Sequence, residues 1–220
     1  ALPIYFTDLT LRFMDEVTPA TDLAGHFIIR DGGIIIQSKK GQVSDQKVVD
    51  ITVDISNLFE KGKEKVVTDV GKASGLIQGT LDRISEKVGN GWLGRSVGGT
   101  HVSDVKVTIP LKKKITFDDV DFTVSSDLED VSYDVPVGKN KLNFNGKKSK
   151  ISIKDKILKF NGKGDLAEVP VKATWEEDLR APGAKTKVAI NGVINDAKLN
   201  KLMQEFIPLE SIGNTPFDLS

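Results

Sequence analysis

Cysteine is absent from the 220 residues, so neither disulfides nor thiolate metal sites hold this chain together, and its compartment stays open, an oxidising one included. Histidine is nearly absent. His26 and His101 each stand alone, with no acidic or cysteine partner at ligand spacing, so neither is expected to bind a metal or to act in catalysis. Net charge is missing as well: Lys plus Arg and Asp plus Glu both number 31, which gives no electrostatic reason to expect DNA or RNA as a partner. No apolar run approaches the ~20 residues of a membrane-spanning helix, and no signal-peptide pattern opens the chain. The chain starts at Ala1 without a methionine and stops at PFDLS as another alternating segment begins, so it is expected to be a fragment of a longer protein.

Catalytic signatures are equally scarce. There is no G-x-S-x-G elbow to present a nucleophile, and Gly89 to Gly99 has no P-loop lysine in register. The acidic groups Asp118-Asp119 and Glu176-Glu177-Asp178 fall at expected strand ends, where solvated turns account for them. Neither an enzyme nor a cofactor is expected.

What the chain does have is alternation. Val105, Val107, Ile109 and Leu111 alternate with polar neighbours, and after a lysine run Val120, Phe122 and Val124 resume the pattern. The same figure recurs at Leu9, Leu11, Phe13; Val49, Ile51, Val53, Ile55; Leu142, Phe144; Ile151, Ile153; Val169, Val171, Ala173, Trp175; and Val188, Ile190. Period 2 with polar residues between is the writing of antiparallel strands with one dry face and one wet face. Turns are expected at Asp31-Gly32-Gly33, Lys40-Gly41, Asn145-Gly146, Asn161-Gly162-Lys163-Gly164 and Pro182-Gly183, giving roughly a dozen strands. The lysine clusters Lys39-Lys40, Lys112 to Lys114 and Lys147-Lys148 with Lys150 are expected near turns, as solubilising and edge-protecting charge.

Two segments carry helical periodicity instead. Leu76, Ile77, Leu81, Ile84 and Val88 predict a helix near 75–88, and Leu199, Leu202, Met203 and Phe206 predict one near 196–206, capped by Asp196 and ended by Pro208. Both are short, with one apolar stripe suited to plugging an end or side of the sheet. An internal echo relates 6–57 to 117–179: Ile29-Arg30-Asp31-Gly32 to Gly41 resembles Ile153-Lys154-Asp155-Lys156 to Gly164, each followed by an alternating strand. A shorter figure begins at Phe6, Val102 and Phe117, each time an apolar residue, one residue, an Asp, then an alternating run. Its first apolar residue has the wrong parity, which predicts a bulge or turn at Asp8, Asp104 and Asp119. The chain is expected to be one continuous mainly β unit over 1–220, and alternation by itself leaves an open groove, a closed sandwich serving as an interaction or adhesion module, and a lipocalin-type barrel all open.

The stretch from Gly99 to Leu111, taken with Lys163-Gly164-Asp165-Leu166-Ala167-Glu168-Val169-Pro170-Val171-Lys172-Ala173-Thr174-Trp175 and the sequel INGVINDAKLNKL, resembles the AsmA-like envelope proteins, and most closely their YhdP branch. The similarity runs from about Phe6 to Phe206 and rests on structural motifs. It implies an elongated, twisted antiparallel sheet curled into a taco-like groove. It also implies a periplasmic setting in a Gram-negative envelope, anchored in the inner membrane by a segment this chain lacks, with phospholipid as partner and possible envelope protein partners. On that expectation the alternating residues line a groove that conducts phospholipid acyl chains between the two membranes. A sixteen-carbon chain left in water forfeits about 12 kcal/mol, at about 0.8 kcal/mol per methylene, so a carrier must cover it.

Overall fold

A computed structural model of the chain describes residues 2–12, 18–30, 32–80, 97–137, 140–180 and 186–193. The described residues form one antiparallel sheet of eleven strands that follow each other in chain order. These are β1 (Ile4–Leu11), β2 (Ala20–Arg30), β3 (Gly33–Val43), β4 (Gln46–Ser56), β5 (Val66–Leu76), β6 (Val97–Pro110), β7 (Asp121–Val137), β8 (Asn140–Lys154), β9 (Ile157–Leu166), β10 (Val169–Asp178) and β11 (Lys187–Gly192). Each strand pairs only with its sequence neighbours, and β1 does not meet β11. The sheet is therefore not a lipocalin-type barrel, and no second sheet faces it among the described residues. At about 4.8 Å between strands, eleven strands span roughly 48 Å across the ladder, shorter than a dozen strands would give.

Left-handed residues shape the ladder. Asp8, Asp22, Asp50 and Asp130 have φ between 50° and 55°, and each sits where the pairing register shifts. Aspartate tolerates this region better than most residues, and an extra residue there bends its strand and increases its twist. Of the three expected irregularities, Asp8 is such a bulge. Asp119 closes a 3-10 turn, Phe117–Asp119. Asp104 lies in a regular part of β6, so Val102 points to the polar side and is 58% exposed.

The hairpin turns lie elsewhere than the glycines suggested. Two-residue connections occur at Ser44-Asp45, Asp155-Lys156 and Ala167-Glu168, with positive φ at Ser44, Asp155, Lys156, Ala167 and Glu168. Lys40-Gly41, Asn145-Gly146 and Asn161 to Gly164 are interior to β3, β8 and β9. These glycines serve close packing: a Cβ on Gly164 would lie 2.2 Å from the Asn145 carbonyl oxygen, and one on Gly41 would lie 2.5 Å from Leu23 Cδ2. Gly32, at φ 77°, keeps its expected turn role, while Pro182-Gly183 lies outside the described residues. The lysines at 39, 40, 147, 148 and 150 are likewise mid-strand.

Of the helix expected near 75–88, Gly75 and Leu76 instead end β5, with Leu76 59% exposed, because their cross-strand pairing with His101 and Thr100 continues the ladder; residues 77–80 are helical, and 81–88 lie outside the described residues, as does the whole segment 196–206. Ile77, 4% exposed, packs with Leu128, Val131 and Phe144, so this helical turn covers part of the apolar face.

Candidate functional site: the apolar face

Directly opposite residues in an antiparallel pair share a face, so the registers place every described side chain. One cross-strand row runs Phe27, Ile36, Val53, Asp69, Val107, Phe122 over six adjacent strands. A second runs Gly71, Val105, Val124, Ile153, Leu158, Glu177. The residues between them along each strand, such as Lys106 and Thr123, form rows on the other side.

The expected lining residues Leu9, Leu11, Ile51, Val53, Val105, Val107, Ile109, Phe122, Val124, Leu142, Phe144, Ile151, Ile153, Val171, Ala173, Trp175, Val188 and Ile190 fall on this one face. Val120 lies just before β7, at the end of the 3-10 turn, and Phe13 is outside the described residues. Val49 is a correction. The bulge at Asp50 reverses the parity of β4, so Val49 pairs with Lys72 and points to the polar face, where it is 41% exposed.

Three apolar clusters fill the face. Leu23, Ile36, Ile51, Val53 and Val67 form one across β2 to β5, flanked by Phe6, Leu9, Leu11 and Phe27. Leu128, Val131 and Phe144 form another under Ile77, with Phe160 and Trp175 packed against it. Ile153, Leu158 and Leu179 form the third beside Phe117 and Phe122. Beyond Val67 on β5, and before Val105 on β6, the residues on this face are smaller and more polar: Asp69, Gly71, Ala73 and Gly75 on one strand, His101 and Ser103 on the other.

His101 is buried within a hydrogen-bonded chain. Its Nε2 donates to Gln46 Oε1 at 2.8 Å, with Thr80 Oγ1 at 2.9 Å, and Ser103 Oγ lies 2.7 Å from Nδ1 and 2.6 Å from Ser126 Oγ. A hydroxyl against an imidazole is half of a nucleophile pair. Among the described residues the Gln46 amide faces the other nitrogen, and His101 and Ser103 are 6% and 4% exposed, so the pair sits beneath the surface. The chain satisfies polar groups that pass beneath the helical turn. Ser149 Oγ, also buried, has no hydrogen-bond partner among the described residues.

Asp69 has a different setting. It makes no hydrogen bond or ion pair with the described residues, its cross-strand neighbours are Val53 and Val107, and burial pushes its carboxyl up to about 6. The sequence reading missed it because β5 offers Val67, Asp69, Gly71, Ala73 and Gly75 to the dry face, a period-2 run with almost no apolar mass. Spacing from Val67 was the available signal.

The opposite face carries cross-strand ion pairs: Lys39 with Asp50 at 3.4 Å, Lys150 with Asp127 at 3.2 Å, and Lys159 and Lys187 with Glu176 at 3.2 and 3.3 Å. A concavity of about 950 Å³ there is lined mainly by Asp127, Glu129, Lys147, Lys148, Lys150, Asn161 and Lys163. Lysine and carboxylate head groups ring it, while most of the surface it exposes is apolar, and Leu128, Ser149 and Gly162 also line it. Among the described residues no cluster of histidine and carboxylate groups has the makings of a metal site, and no helix is long and apolar enough to cross a membrane. No protein-family model matches the chain, and neither curated proteins nor solved structures give a match.

Proposed function

We propose that the apolar face is a lipid-binding groove, in which the sheet curls around acyl chains and lets them lie across successive strands. The observation that carries this reading is the run of directly paired apolar side chains from strand to strand. Except at Asp69 and Gly71 on β5, a chain displaced by one strand spacing, about 4.8 Å, meets similar aliphatic neighbours, so over the rest of the face it shifts without entering water. Such a surface binds without fixing a register, and its function is conduction rather than chemistry. A phospholipid passing between the membranes of a bacterial envelope is the ligand this reading favours. The envelope setting, the inner-membrane anchor and any protein partners come with the AsmA-like resemblance alone.

Half-exposed positions distinguish a groove from a sealed core. Val105, Val107, Phe122 and Val124 are partly accessible, whereas Val53, Val67 and Leu158 are buried. The test is lipid mass spectrometry on the purified chain, repeated with Val107→Asp and with the polar-face control Lys106→Asp. Stoichiometric co-purifying phospholipid that is lost with Val107→Asp and kept with Lys106→Asp is the expected outcome. Absence of lipid from the folded wild-type chain after exposure to phospholipid vesicles would refute the reading.

A further inference from the structure

The row Phe27, Ile36, Val53, Asp69, Val107, Phe122 contains one polar side chain, at its middle. Anything lying along that row crosses Asp69. Resting on the lipid-groove reading, we propose that Asp69 is a proton-controlled break in the apolar path, closed to acyl chains when ionised and open when protonated.

Among the described residues the geometry gives the carboxylate nothing to neutralise it. From β4 the residues facing it are Ile51, Val53 and Ile55, from β6 they are Val105, Val107 and Ile109, and along β5 they are Val67 and Gly71; none titrates. The charged residues of these strands nearest to it, Asp50, Asp54, Lys72, Asp104 and Lys106, belong to the polar face. His101 shares the apolar face but is engaged by Gln46 and Ser103 near the opposite end of β6. Nor is the adjacent space filled: a Cβ on Gly71 would meet Ile51 only at 3.5 Å, an ordinary contact, so packing does not demand a glycine there. An acyl chain over Asp69 strips water from the carboxylate and supplies no hydrogen bond in return, which strongly disfavours the ionised form. Protonation removes that obstacle. A group titrating at about 6 is neutral roughly thirty times more often at pH 5 than at pH 7.5.

The probe is a phosphatidylcholine carrying a fluorescent acyl chain, whose head group does not titrate between pH 5 and 7.5, offered from phosphatidylcholine vesicles to the whole chain. Uptake is compared for wild type, Asp69→Asn, Asp69→Val and the polar-face control Asp104→Asn, each confirmed folded by thermal melting. Wild type and Asp104→Asn are expected to take up roughly thirtyfold more probe at pH 5 than at pH 7.5, and both Asp69 variants to stay high at both. Uptake by wild type that is equal at the two pH values, or a pH response that survives in Asp69→Val, overturns the gate and leaves the groove standing. If no folded protein takes up probe at either pH, the groove reading falls and the gate with it.

Discussion

The two ends of the apolar face use one alternating pattern and fill it differently. Over β2 to β5 the buried side chains are aliphatic, with Leu23 and Val53 1% exposed and Val67 fully buried. Over β8 to β10 the backbone itself forms part of the floor, through Gly146, Gly162 and Gly164, and the aromatic rings of Phe144, Phe160 and Trp175 supply the bulk. A Cβ on Gly146 would lie 3.1 Å from Phe144 Cε1 and one on Gly162 would lie 2.7 Å from Phe160 Cζ, so each ring covers a glycine. Rings over glycines keep the face apolar where the strands carry little side-chain volume. Period 2 thus fixes which face is dry and leaves open how that face is built.

The largest expected effect comes from uncovering a glycine floor. Phe144→Ala removes a buried ring and exposes backbone at Gly146, and should cost about 3–5 kcal/mol in denaturant unfolding, with Leu23→Ala in the aliphatic half nearer to about 3. If Leu23→Ala proves the costlier change, the ring-over-glycine account of β8 to β10 is wrong. Gly164→Ala should follow, at about 1–3 kcal/mol, because its new methyl meets the Asn145 carbonyl at 2.2 Å and the backbone must shift.

Asp69→Val sharpens the boundary between the halves. The Asp69 carboxyl is raised to about 6, so the folded state holds its proton longer than the unfolded state. Wild-type stability due to this group is therefore complete below about pH 4, falls as pH rises from about 4 to 6, and then stays low. The gap between Asp69→Val and wild type should widen over that window to at most roughly 3 kcal/mol, about two units at 1.36 kcal/mol each. A gap that is constant with pH would place Asp69 in water. The smallest effect belongs to the 3-10 turn, where Lys112 and then the Thr116 amide and hydroxyl hold the Asp119 carboxyl down to about 2. Its contribution is present above about pH 4 and fades as pH falls towards 2. Asp119→Asn should quicken amide exchange at Thr116 and leave the global melt nearly unchanged.

Much of this was legible because burial on one side of a strand forces alternation, and strands β6, β8 and β10 announce themselves by it. Aspartate before an alternating run also carried real information, since Asp8 is a bulge and Asp119 ends a turn. Glycine misled: Asn145-Gly146 and Asn161 to Gly164 look like turns, yet aromatic cover and close backbone approach place them mid-strand. The turns themselves fell at Asp155-Lys156 and Ala167-Glu168, which carry no glycine. Val49 was misassigned because one left-handed residue, Asp50, reverses every side chain beyond it. β5 was invisible because Asp69, Gly71, Ala73 and Gly75 hide its dry side.

Site-specific photocrosslinking along β6 and β7, with the chain loaded from phospholipid vesicles, tests the central claim most directly. A photoreactive side chain is placed in turn at Val105, Lys106, Val107, Thr108, Phe122 and Thr123, and lipid adducts are read by mass spectrometry. A lipid seated on the apolar face gives adducts at positions 105, 107 and 122 and little or none at 106, 108 and 123. Adducts of equal yield at all six positions, or adducts concentrated at 106, 108 and 123, would contradict the groove.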